Sequence, residues 1–158
     1  MNQRTMFCRA GLFGAVTGLR SMLGISLLSR RLSHAPEADR GGPLSSALSS
    51  AGAANLLAVL SAGEAVVDKL PGVPARTIPG AVAERAIMGA FVGAAVCSEK
   101  RGNVLAGALI GAAASVAATY GGYYLRRWLT AIGGLPDTVV ALAEDSLALA
   151  LGRQAAAM

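Results

Sequence analysis

The sequence predicts an all-α, polytopic membrane bundle of four to five transmembrane helices, the last of them short or re-entrant. Three observations carry that expectation. Hydrophobic residues make up 54% of the 158-residue chain and charged residues only 15%, whereas a soluble domain carries about a quarter charged residues. The apolar content is built from small side chains, with 20 glycines and only 4% aromatics, which suits helices packed closely in lipid better than a bulky soluble core. Apolar stretches near the length of about 20 residues that spans hydrocarbon also recur between short charged breaks. The competing reading is a soluble, Ala-rich bundle. At this length the chain, residues 1–158, makes one domain.

Five segments qualify in order. The first covers about 6–28 and is interrupted by Arg9 and Arg20. Its start has a basic lead and a short apolar run, but no small-x-small cleavage site precedes Arg20, so it reads as an uncleaved first helix. A loop over 30–43, rich in charge, Gly and Pro, reads as aqueous or interfacial. The second helix covers about 44–70 and stops at Pro71 and Pro74. The third opens near Pro79, a residue suited to a first helical turn, and runs to about 97. The fourth covers about 104–129 and ends in GGYYLRRWL, an aromatic and basic interfacial anchor. Gly133, Gly134 and Pro136 break the chain before the last helix, about 137–151.

Small-residue spacings at Gly14/Gly18, Gly89/Gly93 and Gly107/Gly111 would let helix backbones approach closely. If the loops alternate sides, the basic residues divide six against six, so the excess that orients membrane proteins is missing. A miscounted span is one explanation, and dual insertion as an antiparallel dimer is the other.

The central stretch from Gly63 to Arg85, GEAVVDKLPGVPARTIPGAVAER, holds six charges and three of the six prolines. Within it, Lys69, Leu70, Pro71, Pro74, Arg76, Thr77 and Pro79 form a stiff, proline-punctuated hairpin motif. Glu64 and Asp68 stand one turn apart on one helix face, where two carboxylates repel unless a proton or a cation compensates. Arg20, Arg85 and Arg127 are candidate partners, and Glu144 and Asp145 add two acids in the last segment. Charges at such depth are costly in a bilayer and mark either ion-pair locks between helices or a polar site. The candidate ion or solute site is therefore Glu64, Asp68, Arg20, Arg85, Glu144 and Asp145.

Other chemistries lack their residues. The net charge of +5 comes from basic pairs at helix ends rather than a basic run interleaved with aromatics, so nucleic acid is not an expected partner. His34 lies in the polar loop without metal-ligand company, and Cys8 and Cys97 read as buried thiols within apolar segments. No phosphate loop or nucleophile elbow occurs. Neither a metal, a cofactor nor an enzymatic activity is expected, and a lipid-directed enzyme using the carboxylates comes last.

Several strings together resemble the DUF4126 family of small bacterial membrane proteins, a domain of unknown function. They are GLRSMLG (18–24), E-x-x-x-DKLP-x-VP-x-RT-x-P (64–79), the Gly- and Ala-rich helix ending GGYYLRR, and GLPD…AEDSLAL (134–149). At the start of the third helix Arg85 matches the family pattern and Glu84 departs from it. The resemblance implies a multi-pass protein of the cell inner membrane and supplies no activity. The expected function is a small transporter or channel-like protein, working as a homo-oligomer such as a dimer in the lipid bilayer. The alternative is a structural or accessory membrane protein whose charges only fix helix packing.

Overall fold

The computed structural model describes residues 2–36, 41–67 and 77–158. They form seven helices and no strand: α1 (Gln3–Leu19), α2 (Ser21–His34), α3 (Pro43–Leu48), α4 (Ala51–Val67), α5 (Pro79–Ser98), α6 (Val104–Ala131) and α7 (Asp137–Ala157). Local chemistry sets several starts. The Asn103 side chain accepts the Ala106 N–H at 3.0 Å and so caps α6. Pro79 opens α5, as expected, where its missing N–H costs nothing.

The centre is a three-helix contact of α1, α5 and α6 made by glycine. A Cβ built on Gly93 would run into the Gly107 carbonyl, and one on Gly111 into the Gly89 carbonyl. Likewise, a Cβ on Gly14 would meet the Gly111 carbonyl and one on Gly18 the Ser115 carbonyl. All three small-residue spacings in the sequence therefore lie in this contact, and the residue lost at each would be the space between two backbones.

The segment expected as one helix over 6–28 is two. Arg20 alone is extended (φ −143°, ψ 109°), and α2 folds back along α1 as an antiparallel hairpin. Gly24 lies against Thr17 and the Phe13 carbonyl, so the two helices meet backbone to backbone. Both open ends of the hairpin lie with the 98–103 turn and the end of α7, because Arg9, Arg31, Glu99 and the Ala155 and Ala156 carbonyls meet there. We call this the terminal end. From it α4 and α6 run toward the hairpin tip, and α5 and α7 return. At a rise of about 1.5 Å per residue the tip lies roughly 16 Å from Arg9 along α1.

Two further boundaries change. The second expected helix is interrupted at Ser49–Ser50, giving the six-residue α3 and then α4. The last helix is 21 residues long rather than short. Cys97 is buried, as expected, but Cys8 is exposed.

The apolar core collects around Phe13, Leu28, Leu32, Val92 and Val96. The outer surface is also apolar: Val59 is 69% exposed, Leu105 70%, Leu109 64% and Leu142 60%. Two helices, α5 and α6, are long and apolar enough to cross a membrane, and α4 is a shorter apolar helix.

Candidate functional site

Two polar layers cross the bundle. The first surrounds the hairpin tip. Because Arg20 leaves the helix and α2 starts afresh, the first N–H groups of α2 have no intrahelical acceptor. No side chain caps α2 from its own N-cap position. Glu64, reaching from α4, supplies the acceptor: its Oε1 takes the Ser21 N–H and its Oε2 the Met22 N–H, both at 2.8 Å. A carboxylate there also meets the positive end of the α2 dipole. Ser21 is the junction of the layer. Its hydroxyl donates to Glu84 Oε2 at 3.1 Å and accepts from Arg85 Nε at 3.1 Å. Arg20, 5% exposed, donates from Nε to Asp145 Oδ1 at 2.7 Å and so ties the tip to α7. The Thr119 hydroxyl donates to the Gly18 carbonyl at 3.0 Å, and the Ser115 hydroxyl to the Arg85 carbonyl at 2.8 Å.

A cavity of about 320 Å³ opens beside this layer, between α2, α4 and α7. Arg20, Asp145, Ser26 and Ser61 line it, with Ala62 and Ala65 on either side of the half-buried Glu64 in α4. The cavity wall can therefore present a carboxylate, a guanidinium and hydroxyls to a small polar species.

The second layer, at the terminal end, encloses its carboxylate, while one of its two arginines, Arg31, keeps 21% of its side chain exposed. Glu99 takes two hydrogen bonds from Arg9, at 3.2 Å each, and one from Arg31 at 2.8 Å. Arg9 and Glu99 side chains are both 0% exposed. The spare guanidinium N–H groups finish on the C-terminal carbonyls of α7: Arg9 Nε on Ala155 at 3.1 Å and Arg31 Nε on Ala156 at 3.0 Å. Buried charges of this kind persist because each is paired and hydrogen-bonded.

The structure thus brings Arg20, Glu64, Arg85 and Asp145 together. Glu144 instead faces Arg126, whose Nη1 lies 3.7 Å away, while Arg126 also holds Asp137 through Nε and Nη2 at 2.7 and 2.6 Å. Glu64 meets helix N–H groups rather than an arginine side chain. Asp68, Lys69, Leu70, Pro71, Pro74 and Arg76 lie outside the described residues, while Thr77 and Pro79 lead into α5. Among the described residues no three His, Cys, Asp or Glu side chains gather as a metal site.

Sequence reasoning missed Ser21, Thr119, Glu99 and Arg31. Arg31 reads as half of an interfacial basic pair and Glu99 as part of a polar turn, and nothing local to either shows that Arg9 completes them. Ser21 had one signal, its place inside GLRSMLG. Compared with protein-family models, with curated proteins and with solved structures, the chain finds no match.

Proposed function

We propose that the chain is a multi-pass membrane protein of the cell inner membrane that moves a proton or small polar solute through the layer at the hairpin tip. The observation that carries this reading is the Glu64 carboxylate. It caps a helix start in the bundle interior and stands beside a cavity lined by Arg20 and Asp145. Broken helices whose positive ends meet polar groups at depth are a recurring way to build transport sites in lipid.

The exposed apolar surface of α4, α6 and α7 supports lipid as the solvent, since contiguous apolar area of that extent is rare on soluble monomers. In this reading α4 to α7 cross and the α1–α2 hairpin enters and returns. Its tip lies roughly 20 Å from the terminal end, inside a hydrocarbon layer of about 30 Å. The hairpin also changes the charge balance. Among the described residues Arg4, Arg30, Arg31, Lys100, Arg101 and Arg153 gather at the terminal end, against Arg126 and Arg127 at the other. That excess orients the terminal end toward the cytoplasm. The strings resembling the DUF4126 family supply Gly18 to Gly24, Glu64 and Asp145 of the tip layer, and Arg85 matches the family pattern beside them. A homo-oligomer, with a dimer as its simplest form, would complete a path that so short a chain encloses only in part.

The test is proton and ion flux in liposomes holding the purified protein, wild type beside Glu64→Gln. A pH-dependent flux in the wild type that the variant loses is the expected result. No flux above empty liposomes, with a variant that is only less stable, would favour the accessory reading, in which Glu64 and the Arg20–Asp145 pair lock α4 and α7 to the hairpin.

A further inference from the structure

We propose that the pocket between the end of α2 and the end of α7 binds the phosphate headgroup of an anionic phospholipid. The pocket is about 810 Å³, and Arg30, Arg31, His34 and Arg153 face it above Leu27 and Leu149. Among the described residues no acidic side chain lines it. Among the described residues the carboxylate beside it is Glu99, which Arg9 and Arg31 share. Arg31 is also fixed in place, its Nη1 on Glu99 and its Nε on the Ala156 carbonyl. Arg30 and Arg153 stand exposed at the mouth.

A helix C-terminus by itself favours nearby cations, and that accounts for Arg31 and His34 in the last turn of α2. It does not account for Arg153, which a different helix brings to the same cavity. Guanidinium groups converging from two helices match a phosphate, which accepts paired N–H groups in a planar fork. The apolar floor matches the acyl end of a lipid and has no use for a free anion. Basic pockets between membrane helices on the cytoplasmic side are where anionic headgroups settle, and this end carries the basic excess. The proposal rests on the membrane reading above and not on the transport reading.

The experiment measures phosphatidylglycerol binding to the full chain in detergent by native mass spectrometry, wild type beside the double variant Arg30→Gln/Arg153→Gln. Arg31 is left intact because its loss would unpair Glu99. Each arginine removed should weaken binding about fivefold, and the pair about thirtyfold. Phosphatidylcholine should bind neither protein measurably, and inorganic phosphate should not displace the lipid. Equal affinity of wild type and variant, or phosphatidylcholine binding as well as phosphatidylglycerol, overturns the proposal. Displacement by inorganic phosphate at equal concentration also overturns it, by assigning the pocket to a free anion. If the double variant melts below the wild type without lipid, Arg153→Gln alone carries the test, at about fivefold. Failure of the membrane reading shows separately, as protein that stays in the aqueous fraction without detergent once membranes are pelleted.

Discussion

At the terminal end Glu99 lies between Arg9 and Arg31, with its oxygens and their N–H groups matched to one another and to the last carbonyls of α7. Roughly 16 Å along α1, Arg20, Glu64, Glu84 and Asp145 surround the hairpin tip beside a cavity of about 320 Å³. Both layers join three or more helices through carboxylates and guanidinium groups, but they differ in access. The Arg9 and Glu99 side chains are 0% exposed, whereas Asp145 is 26% exposed, Glu64 is half-buried and Glu84 is exposed. At the terminal end the carboxylate is enclosed by its partners, and only the Arg31 guanidinium reaches a cavity. A layer that leaves a carboxylate, here Asp145, at a cavity wall can exchange partners. Depth in the chain and residue type are shared by the two layers, so neither property alone marks a functional charge.

The comparison breaks most sharply at Glu99. Glu99→Gln leaves two guanidinium groups facing a neutral amide in a dry interior, and the expected loss is about 3–5 kcal/mol. Thermal unfolding in detergent should show it, and a loss below about 1 kcal/mol would mean that this layer is not the lock. Next comes Gly111→Ala, which pushes a methyl group into the Gly89 carbonyl across the α5–α6 contact. Overpacking of that kind should cost about 1–3 kcal/mol, and the same melt reads it. Glu64→Gln keeps one good acceptor at the start of α2, so its cost should be only about 1 kcal/mol, yet pH-dependent flux should vanish. Equal stability losses at Glu64 and Glu99 would erase the distinction between the layers. Smallest of all is Asp137→Asn. That side chain is 65% exposed, and its pair with Arg126 should contribute under about 1 kcal/mol, shrinking further as salt is added.

Much of the fold is legible in the residues. Pro79, the SEKRGN turn and the Gly133-Gly134-Pro136 break mark element ends with local chemistry, and the observed starts at Pro79, Val104 and Asp137 follow them. The three glycine spacings also predict a real contact. The α1–α2 hairpin is not legible, because its turn is one extended arginine without a Gly or Pro at the bend. What stabilises that break is Glu64, placed 43 residues away from Ser21 in the chain. Without the hairpin, Arg4 and Arg9 fall on the side opposite Arg30 and Arg31; with it, they join them at the terminal end. The triad is hidden for a similar reason. Arg9 and Glu99, 90 residues apart, each look like an ordinary polar interruption until α1 and α5 are laid side by side. Asp145 is visible as an acid in the middle of an apolar helix, but its choice of Arg20, 125 residues away in the chain, is not.

The contrast between the cavity beside the tip layer and the closed surroundings of Glu99 can be read directly from thiol accessibility. In a background with Cys8 and Cys97 replaced by serine, Ser61→Cys reports on the cavity wall and Ser98→Cys on the position beside Glu99, where the native serine is 3% exposed. A membrane-impermeant maleimide needs a water-exposed thiolate. The account predicts that Ser61→Cys is labelled in the folded protein and that Ser98→Cys reacts only after denaturation. Equal labelling of the two positions, or protection of Ser61→Cys until unfolding, would contradict it.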